Sequence, residues 1–238
     1  MKSNYWRIEV DMKYALCLII TALLSYLCGS LNSAIIAVRV LKGEDIREKG
    51  SGNAGLTNVI RVYGKGLGIV TLLGDLFKGV LAVVAARLIV TNLVGVTFFG
   101  GDQIFIGYIA GLFTIIGHMF PLYYGFHGGK GVLLAATTLI AMDPLTCAVS
   151  LAVFFLLIGI TKYVSVGSIC AAITYPVFTL IYQSINADKF PGHIANFLVA
   201  AVIGFMIVYM HKPNIERLRA GTENKIGQKK KAEQSEEN

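Results

Sequence analysis

Long apolar runs separated by short polar stretches set the pattern of this chain. A membrane-spanning helix needs roughly 20 apolar residues, with a range of about 17–25. Seven candidate runs occur, at 14–40, 66–90, 104–116, 131–142, 145–160, 164–181 and 194–209. The third and fourth are short and flank a glycine-rich stretch. Such a pattern predicts an all-α, polytopic integral membrane protein, with about seven transmembrane helices and two short segments around a Gly-rich loop. Asp143-Pro144 predicts a tight turn between the fourth and fifth runs. Pro176 predicts a kink in the sixth. Residues 1–227 are expected to form a single membrane-embedded domain, and residues 228–238, charged and without an apolar period, a disordered tail.

Composition agrees with lipid as the solvent. The 238 residues are 55% hydrophobic and 15% charged, with a mean hydropathy of +0.66. Soluble domains average about 45–50% and about 25%. The basic run at the N-terminus followed by apolar residues mimics a signal peptide, but the apolar stretch continues too far and lacks small residues before Cys28, so an uncleaved helix is expected. Cys17, Cys28, Cys147 and Cys170 all lie in apolar runs without a CxxC spacing, which argues against disulfides or a zinc site.

The net charge of +7 is unevenly placed. Of 21 Lys and Arg residues, fifteen fall on one side of the predicted spans and four on the other, with Lys78 and Arg87 inside. The rich side is predicted to be cytoplasmic, which puts the N-terminus outside and the C-terminus inside. No basic stripe with interleaved aromatics is present, so a nucleic-acid partner is not expected.

Three polar stations share the basic side. The first is Gly50-Ser51-Gly52-Asn53-Ala54-Gly55-Leu56-Thr57-Asn58 with Arg61. Glycines allow positive φ and close approach of backbone to a ligand. Amides at a helix start favour an anion. Ser51, Asn53, Thr57 and Asn58 offer neutral donors, and Arg61 offers a bidentate grip on phosphate. An ordinary capped loop would carry many of the same residues. The second station is Gly117-His118 with Pro121, then His127-Gly128-Gly129-Lys130-Gly131. A lysine among glycines suits a phosphate, but the spacing is not that of a P-loop, and a lysine can equally anchor a helix end. The third is His211 to Arg219 followed by Gly221-Thr222-Glu223, for which a juxtamembrane basic patch is the alternative. Asp75 and Lys78 share a helix face within the second span and predict a buried, site-supporting ion pair. Gly-x-Ser-x-Gly, HExxH and His-x4-Asp motifs are absent.

In this order and at these depths the stations resemble the PlsY family, the acyl-phosphate:glycerol-3-phosphate acyltransferases of bacterial membranes. The resemblance runs from about Cys28 to Gly227 and rests on Gly29-Ser30 with Asn32, the 50–61 loop, Asp75 with Lys78-Gly79, Gly117-His118 with Pro121, the 128–132 stretch and the 214–225 stretch. It implies transfer of a fatty acyl group from acyl phosphate to the 1-hydroxyl of sn-glycerol 3-phosphate, giving lysophosphatidic acid and phosphate. That is the first step of phospholipid synthesis, in the bacterial inner membrane, with all three motifs cytoplasmic. An acyl-phosphate-producing enzyme upstream is implied; a metal, a cofactor, coenzyme A and acyl carrier protein are not. By the same resemblance Ser51, Arg61, Lys130, His211 and Asn214 carry catalysis around glycerol 3-phosphate. Gly52, Asn53, Gly55, Thr57, Asn58, His118, Gly128, Gly129, Gly131 and Glu223 bind substrate or phosphate. A transporter for an organic phosphate is the main rival, but it predicts related halves, and the chain has no clear internal repeat.

Overall fold

The computed structural model describes residues 2–227, with side chains from Met12 onward. The tail expected at 228–238 lies outside the described residues, as do Lys229, Lys230 and Lys231. Among the described residues the regular secondary structure is helical apart from one antiparallel bridge, Phe98–Asp102. Ten α-helices follow one another: α1 (Lys2–Ser30), α2 (Ser33–Lys42), α3 (Leu56–Tyr63), α4 (Lys65–Arg87), α5 (Phe105–Met119), α6 (Val132–Met142), α7 (Pro144–Thr161), α8 (Val164–Ile185), α9 (His193–Met210) and α10 (Lys212–Arg219). Phe77, Leu93, Phe155, Ile185 and Phe205 are among the large apolar side chains left outward-facing. On a water-soluble protein this much apolar surface would drive aggregation; here lipid covers it. The chain is a multi-span membrane protein.

Six elements among the described residues are long and apolar enough to span, and α6 is not one of them. Only one of the two segments predicted to be short stays short. The third spans Phe105–Tyr124, because α5 runs past the polar-looking Gly117-His118 and a 3-10 turn at Leu122–Tyr124 extends it. His118 is buried there, so its polarity does not end the helix. The fourth has 11 residues, about 16 Å of helix. Asp143 therefore lies buried below the α6–α7 corner, where its side chain accepts from the Thr146 amide and Pro144 starts α7. The first predicted span also differs. It breaks at Leu31-Asn32, where buried Asn32 caps α2 by accepting from the Ile35 amide. Helix α8 continues through Pro176.

Small residues set the closest helix contacts. A Cβ on Gly29 would overlap the Thr114 carbonyl, and one on Gly117 would lie 2.8 Å from the Ser30 amide, so α1 and α5 meet backbone to backbone. Gly204 of α9 packs in the same way on the Ala172 carbonyl, four residues before Pro176 and so left without a helical N–H donor. The pair predicted on the second span is present: Lys78 Nζ lies 2.9 Å from Asp75 Oδ1. Lys78 also donates to the Leu31 carbonyl at 3.0 Å and the Gly29 carbonyl at 3.4 Å. One ammonium thus ties α4 to the break between α1 and α2, satisfying carbonyls that have no helical donor.

Candidate active site

The first station is a loop built inward on Asn58. The Asn58 amide group donates to the carbonyls of Ile46, Lys49 and Asn53, and its Oδ1 accepts from the Ser51 amide at 2.9 Å. Gly50 and Gly52 take left-handed φ of 62° and 72°, which turns the chain around this side chain. Asp45 receives Arg47 and Arg39, and Arg47 Nη1 continues to the Tyr124 carbonyl at 2.6 Å and the His127 carbonyl at 3.3 Å. The Asp45 carboxyl is held well below the usual range, chiefly by Arg47. Arg47 thereby clamps the first station to the second.

The second station folds back on the end of α5. The Gly128 and Gly129 amides donate to the carbonyls of Met119 and His118 at 3.0 and 3.1 Å. A Cβ on Gly129 would overlap His118 Nε2 and come within 2.7 Å of the Ala54 carbonyl, so the loop is wedged between α5 and the first station. Gly131, at φ 78°, turns the chain into α6. Lys130 is left projecting forward, where it donates to Asn214 Oδ1.

The third station completes a chain of polar contacts. Asn214 donates to Glu223 Oε1 at 2.7 Å, and Arg217 donates to Glu223 Oε2 at 2.7 Å. Buried His211 donates through Nδ1 to the Ile207 carbonyl at 2.7 Å, so the neutral ring keeps its lone pair on Nε2. Burial, aided by the charge of Lys130, pushes the His211 imidazole down to about 4, against the pull of its bond to Ile207 and of Glu223. Burial, Arg217 and Arg61 push the Lys130 ammonium down to about 8, with Glu223 opposing.

A cavity of about 430 Å³ joins the three stations. Of the residues singled out in the sequence, Ser51, Asn53, Gly55, Thr57, Asn58, Arg61, His118, Lys130, Gly131, His211, Asn214 and Glu223 border it. Gly52 and Gly128 border a more open adjoining hollow, which Ser51, Asn53, Lys130 and Arg217 share. Gly129 borders neither. Five expected ligand-binding residues have donor groups committed elsewhere: the Asn58 side chain to its own loop, the Gly52 and Gly55 amides to the Lys49 and Asn53 carbonyls, and the Gly128 and Gly129 amides to α5 carbonyls. His118 borders the cavity, but its Nδ1 faces Lys78 Nζ at 3.2 Å. Arg217 was not singled out, although its pairing with Glu223 follows from a spacing of six residues across a glycine turn.

The electrostatics select the ligand sign. Arg61 makes no hydrogen bond or ion pair among the described residues, and Lys130 meets the neutral Asn214. Arg217 is balanced by Glu223, and Asp75 by Lys78. The mouth therefore carries a surplus of positive charge, the arrangement that binds phosphate. Below it the walls turn apolar, with Leu139 of α6, Leu151 and Phe154 of α7 and Ala172 of α8. The cavity is amphipathic along its length, cationic above and oily below. Among the described residues no group of three or more His, Cys, Asp or Glu side chains gathers as a metal site would.

Comparison with known proteins gives this geometry its lineage. The sequence model of the glycerol-3-phosphate acyltransferases matches residues 19–221. This chain belongs to the glycerol-3-phosphate acyltransferase family. A relative from Clostridioides difficile (strain 630), named glycerol-3-phosphate acyltransferase, is 42% identical over 212 residues, covering 89% of this chain and 97% of its own. A relative of the same name from Synechococcus elongatus is 40% identical, with 87% and 94% covered. The fold is similar to the crystal structure of PlsY, an integral membrane glycerol 3-phosphate acyltransferase, in its glycerol 3-phosphate form. The TM-score is 0.73 at 32% identity, covering 88% of this chain and 96% of that one. The lysophosphatidic acid form of the same enzyme gives 0.69 at 30% identity, with 88% and 95% covered. Membership makes the chain an acyltransferase of the membrane.

Proposed function

We propose that this protein transfers a fatty acyl group from acyl phosphate to the 1-hydroxyl of sn-glycerol 3-phosphate, releasing lysophosphatidic acid and inorganic phosphate. The observation that carries the reading is the continuity of a mouth bearing unpaired Arg61 and Lys130 with an apolar shaft. Both acyl phosphate and lysophosphatidic acid have that form, a phosphate head on a hydrocarbon tail. Relatives named for acylation of glycerol 3-phosphate, and a similar fold solved with substrate and product forms, support the same reaction.

The residues divide the work. Arg61 and Lys130 bring two phosphates together whose mutual repulsion otherwise keeps the reactants apart, and holding them in line supplies proximity. Ser51 and Asn214 orient glycerol 3-phosphate, and His211 accepts through Nε2 from a substrate hydroxyl. Asn53, Thr57 and the amides near Gly55 and Gly131 face the donor phosphate. Glu223 steadies Asn214 and Arg217; Asn58, Gly128, Gly129 and His118 hold the loops that present Ser51 and Lys130. In the reaction the glycerol oxygen attacks the acyl carbonyl carbon, the bond from that carbon to the bridging phosphate oxygen breaks, and phosphate departs. The hydroxyl proton goes to a phosphate oxygen. An imidazole at about 4 is a weaker base than a phosphate monoanion–dianion couple near about 6.

On this reading the three stations face the cytoplasm from a bacterial inner membrane, the N-terminus lies outside, and the protein acts downstream of an enzyme that makes acyl phosphate. The charge asymmetry along the chain favours that orientation. Residues 1–227 act as one membrane domain, and 228–238 as its cytoplasmic tail. Donor discrimination tests the proposal. Purified protein receives labelled glycerol 3-phosphate with palmitoyl phosphate, palmitoyl coenzyme A or palmitoyl carrier protein. Product from acyl phosphate alone is expected; equal product from a thioester would remove the donor assignment.

A further inference from the structure

The lower end of the cavity is closed by polar groups that the acyl transfer does not use. From Val164, beside the mouth, to Tyr175 the α8 axis descends about 16 Å. The walls over that depth are mostly apolar, with Ser165 and Ser168 of α8 as polar exceptions nearer the mouth, and the end is formed by Tyr175 together with Cys147 and Ser150 of α7. Tyr175 is 2% exposed, and neither its hydroxyl nor that of Ser150 has a hydrogen-bond partner among the described residues. Beneath the Tyr175 ring lies a buried network. Gln183 donates to the Tyr108 hydroxyl at 2.9 Å and to Asp143 Oδ2 at 3.0 Å. Asn196 donates to Gln183 Oε1 at 3.0 Å and to Asp102 Oδ2 at 3.1 Å. Tyr175 is within electrostatic reach of both Tyr108 and Asp143. The network ties α5, the α6–α7 corner, α8 and α9 together below the ring.

We propose that Tyr175 is the residue that fixes the longest acyl chain this protein accepts, with the Asp143–Gln183–Asn196–Asp102 network as the rigid support beneath it. The inference rests on the reading above that the shaft receives the acyl tail. A chain that reaches Tyr175 has filled the apolar walls. Each further methylene must displace the ring or enter the network, where it would strip hydrogen bonds from buried carboxylates and amides. A rigid support makes the limit sharp, because buried groups tied to one another by several hydrogen bonds do not drift aside, even though Asn196 Oδ1 has no partner among the described residues. Bulk added above the ring shortens the shaft, and loss of the ring lengthens it.

The test uses wild type, Tyr175→Ala, Tyr175→Phe and Ser150→Leu in nanodiscs, with decanoyl, lauroyl, myristoyl, palmitoyl, stearoyl and arachidoyl phosphate. The kcat/KM profile is read together with the thermal shift given by lysophosphatidic acids of the same chains. A methylene that does not fit changes discrimination by about tenfold or more. Wild type is expected to show a cut-off, Tyr175→Ala to move it by at least one donor in the series towards longer chains, and Ser150→Leu towards shorter ones. Tyr175→Phe keeps the ring and leaves the cut-off in place. An active wild type whose profile is the same in Tyr175→Ala and in Ser150→Leu overturns the proposal and leaves the reaction standing. A cut-off that moves equally in Tyr175→Phe also overturns it, since bulk is then not the stop. A wild type that acylates nothing removes the reaction reading. The thermal shifts then decide the stop alone: binding cut-offs displaced in opposite directions by Tyr175→Ala and Ser150→Leu uphold it, and unchanged ones overturn it.

Discussion

Replacing Lys130 by Arg separates the charge of this side chain from its titration. Burial, Arg217 and Arg61 bring the ammonium down to about 8 from an ordinary 10.5. That displacement corresponds to about 3 kcal/mol against the charged form before substrate arrives. The sign follows from proton binding. Between about 8 and 10.5 the unfolded chain holds a proton here that the folded protein has lost, so the penalty on stability is full below 8 and fades as pH rises towards 10.5. A phosphate dianion seated beside Lys130 reverses the balance and retains the proton. The affinity of the free protein for glycerol 3-phosphate therefore falls once Lys130 loses its charge. With both substrates fully ionised, kcat/KM for glycerol 3-phosphate should be level near neutrality and fall about tenfold per pH unit above about 8. Arginine stays charged throughout. Lys130→Arg should lower the plateau, because the guanidinium fork does not reproduce the ammonium geometry, and should remove the alkaline limb. The assay follows phosphate release from palmitoyl phosphate, with glycerol 3-phosphate binding by thermal shift as a second readout. A limb of the same midpoint in Lys130→Arg, in turnover and in binding, would refute the assignment.

Three further outcomes follow from the geometry. His211→Gln should reduce kcat yet leave the acid side of the pH–rate profile unmoved, because an imidazole at about 4 does not titrate near neutrality; an acid limb between pH 6 and 7 that vanishes in the variant would restore His211 as the base. Lys78→Met leaves Asp75 buried without its partner and should cost about 3–5 kcal/mol, read as a lower unfolding temperature in detergent, whereas Asp75→Leu combined with Lys78→Met should recover only the part due to the stranded carboxylate, since the Leu31 and Gly29 carbonyls still lack their donor; additive losses would mean that the pair does not act as a unit. Gly129→Ala drives a methyl group towards the Ala54 carbonyl and into His118, so it should separate the first two stations and raise KM for both substrates; wild-type kinetics would show that the wedge is not needed.

Much of the candidate site was legible through the family resemblance: Arg61, Lys130, His211 and Asn214, named on that ground, meet in one cavity. Asp75 and Lys78 were legible from the residues themselves, because ionisable groups inside a span are costly unless paired. The direction in which each polar group points was not legible. Nothing in the pattern says that Asn58 turns into its own loop, or that the Gly128 and Gly129 amides close onto α5. Those glycines are required by crowding, and a glycine needed for packing reads the same as one that leaves an amide free. The length of α5 was misjudged because Gly117-His118 ended an apolar run, whereas Lys78 compensates the imidazole inside the protein. Gln183 and Asn196 were signals passed over: lone amides in apolar spans, whose partners Asp102 and Asp143 lie in distant loops and corners.

The most direct measurement of the central claim is product stoichiometry in purified protein supplied with palmitoyl phosphate and labelled glycerol 3-phosphate, with no metal, coenzyme A or carrier protein. The account predicts one lysophosphatidic acid for each phosphate released, with both lost together in Arg61→Ala and in Lys130→Ala while the folded protein persists. Folded wild-type protein that makes no product, but lets sealed vesicles accumulate glycerol 3-phosphate, would contradict it and make the cavity a transport site.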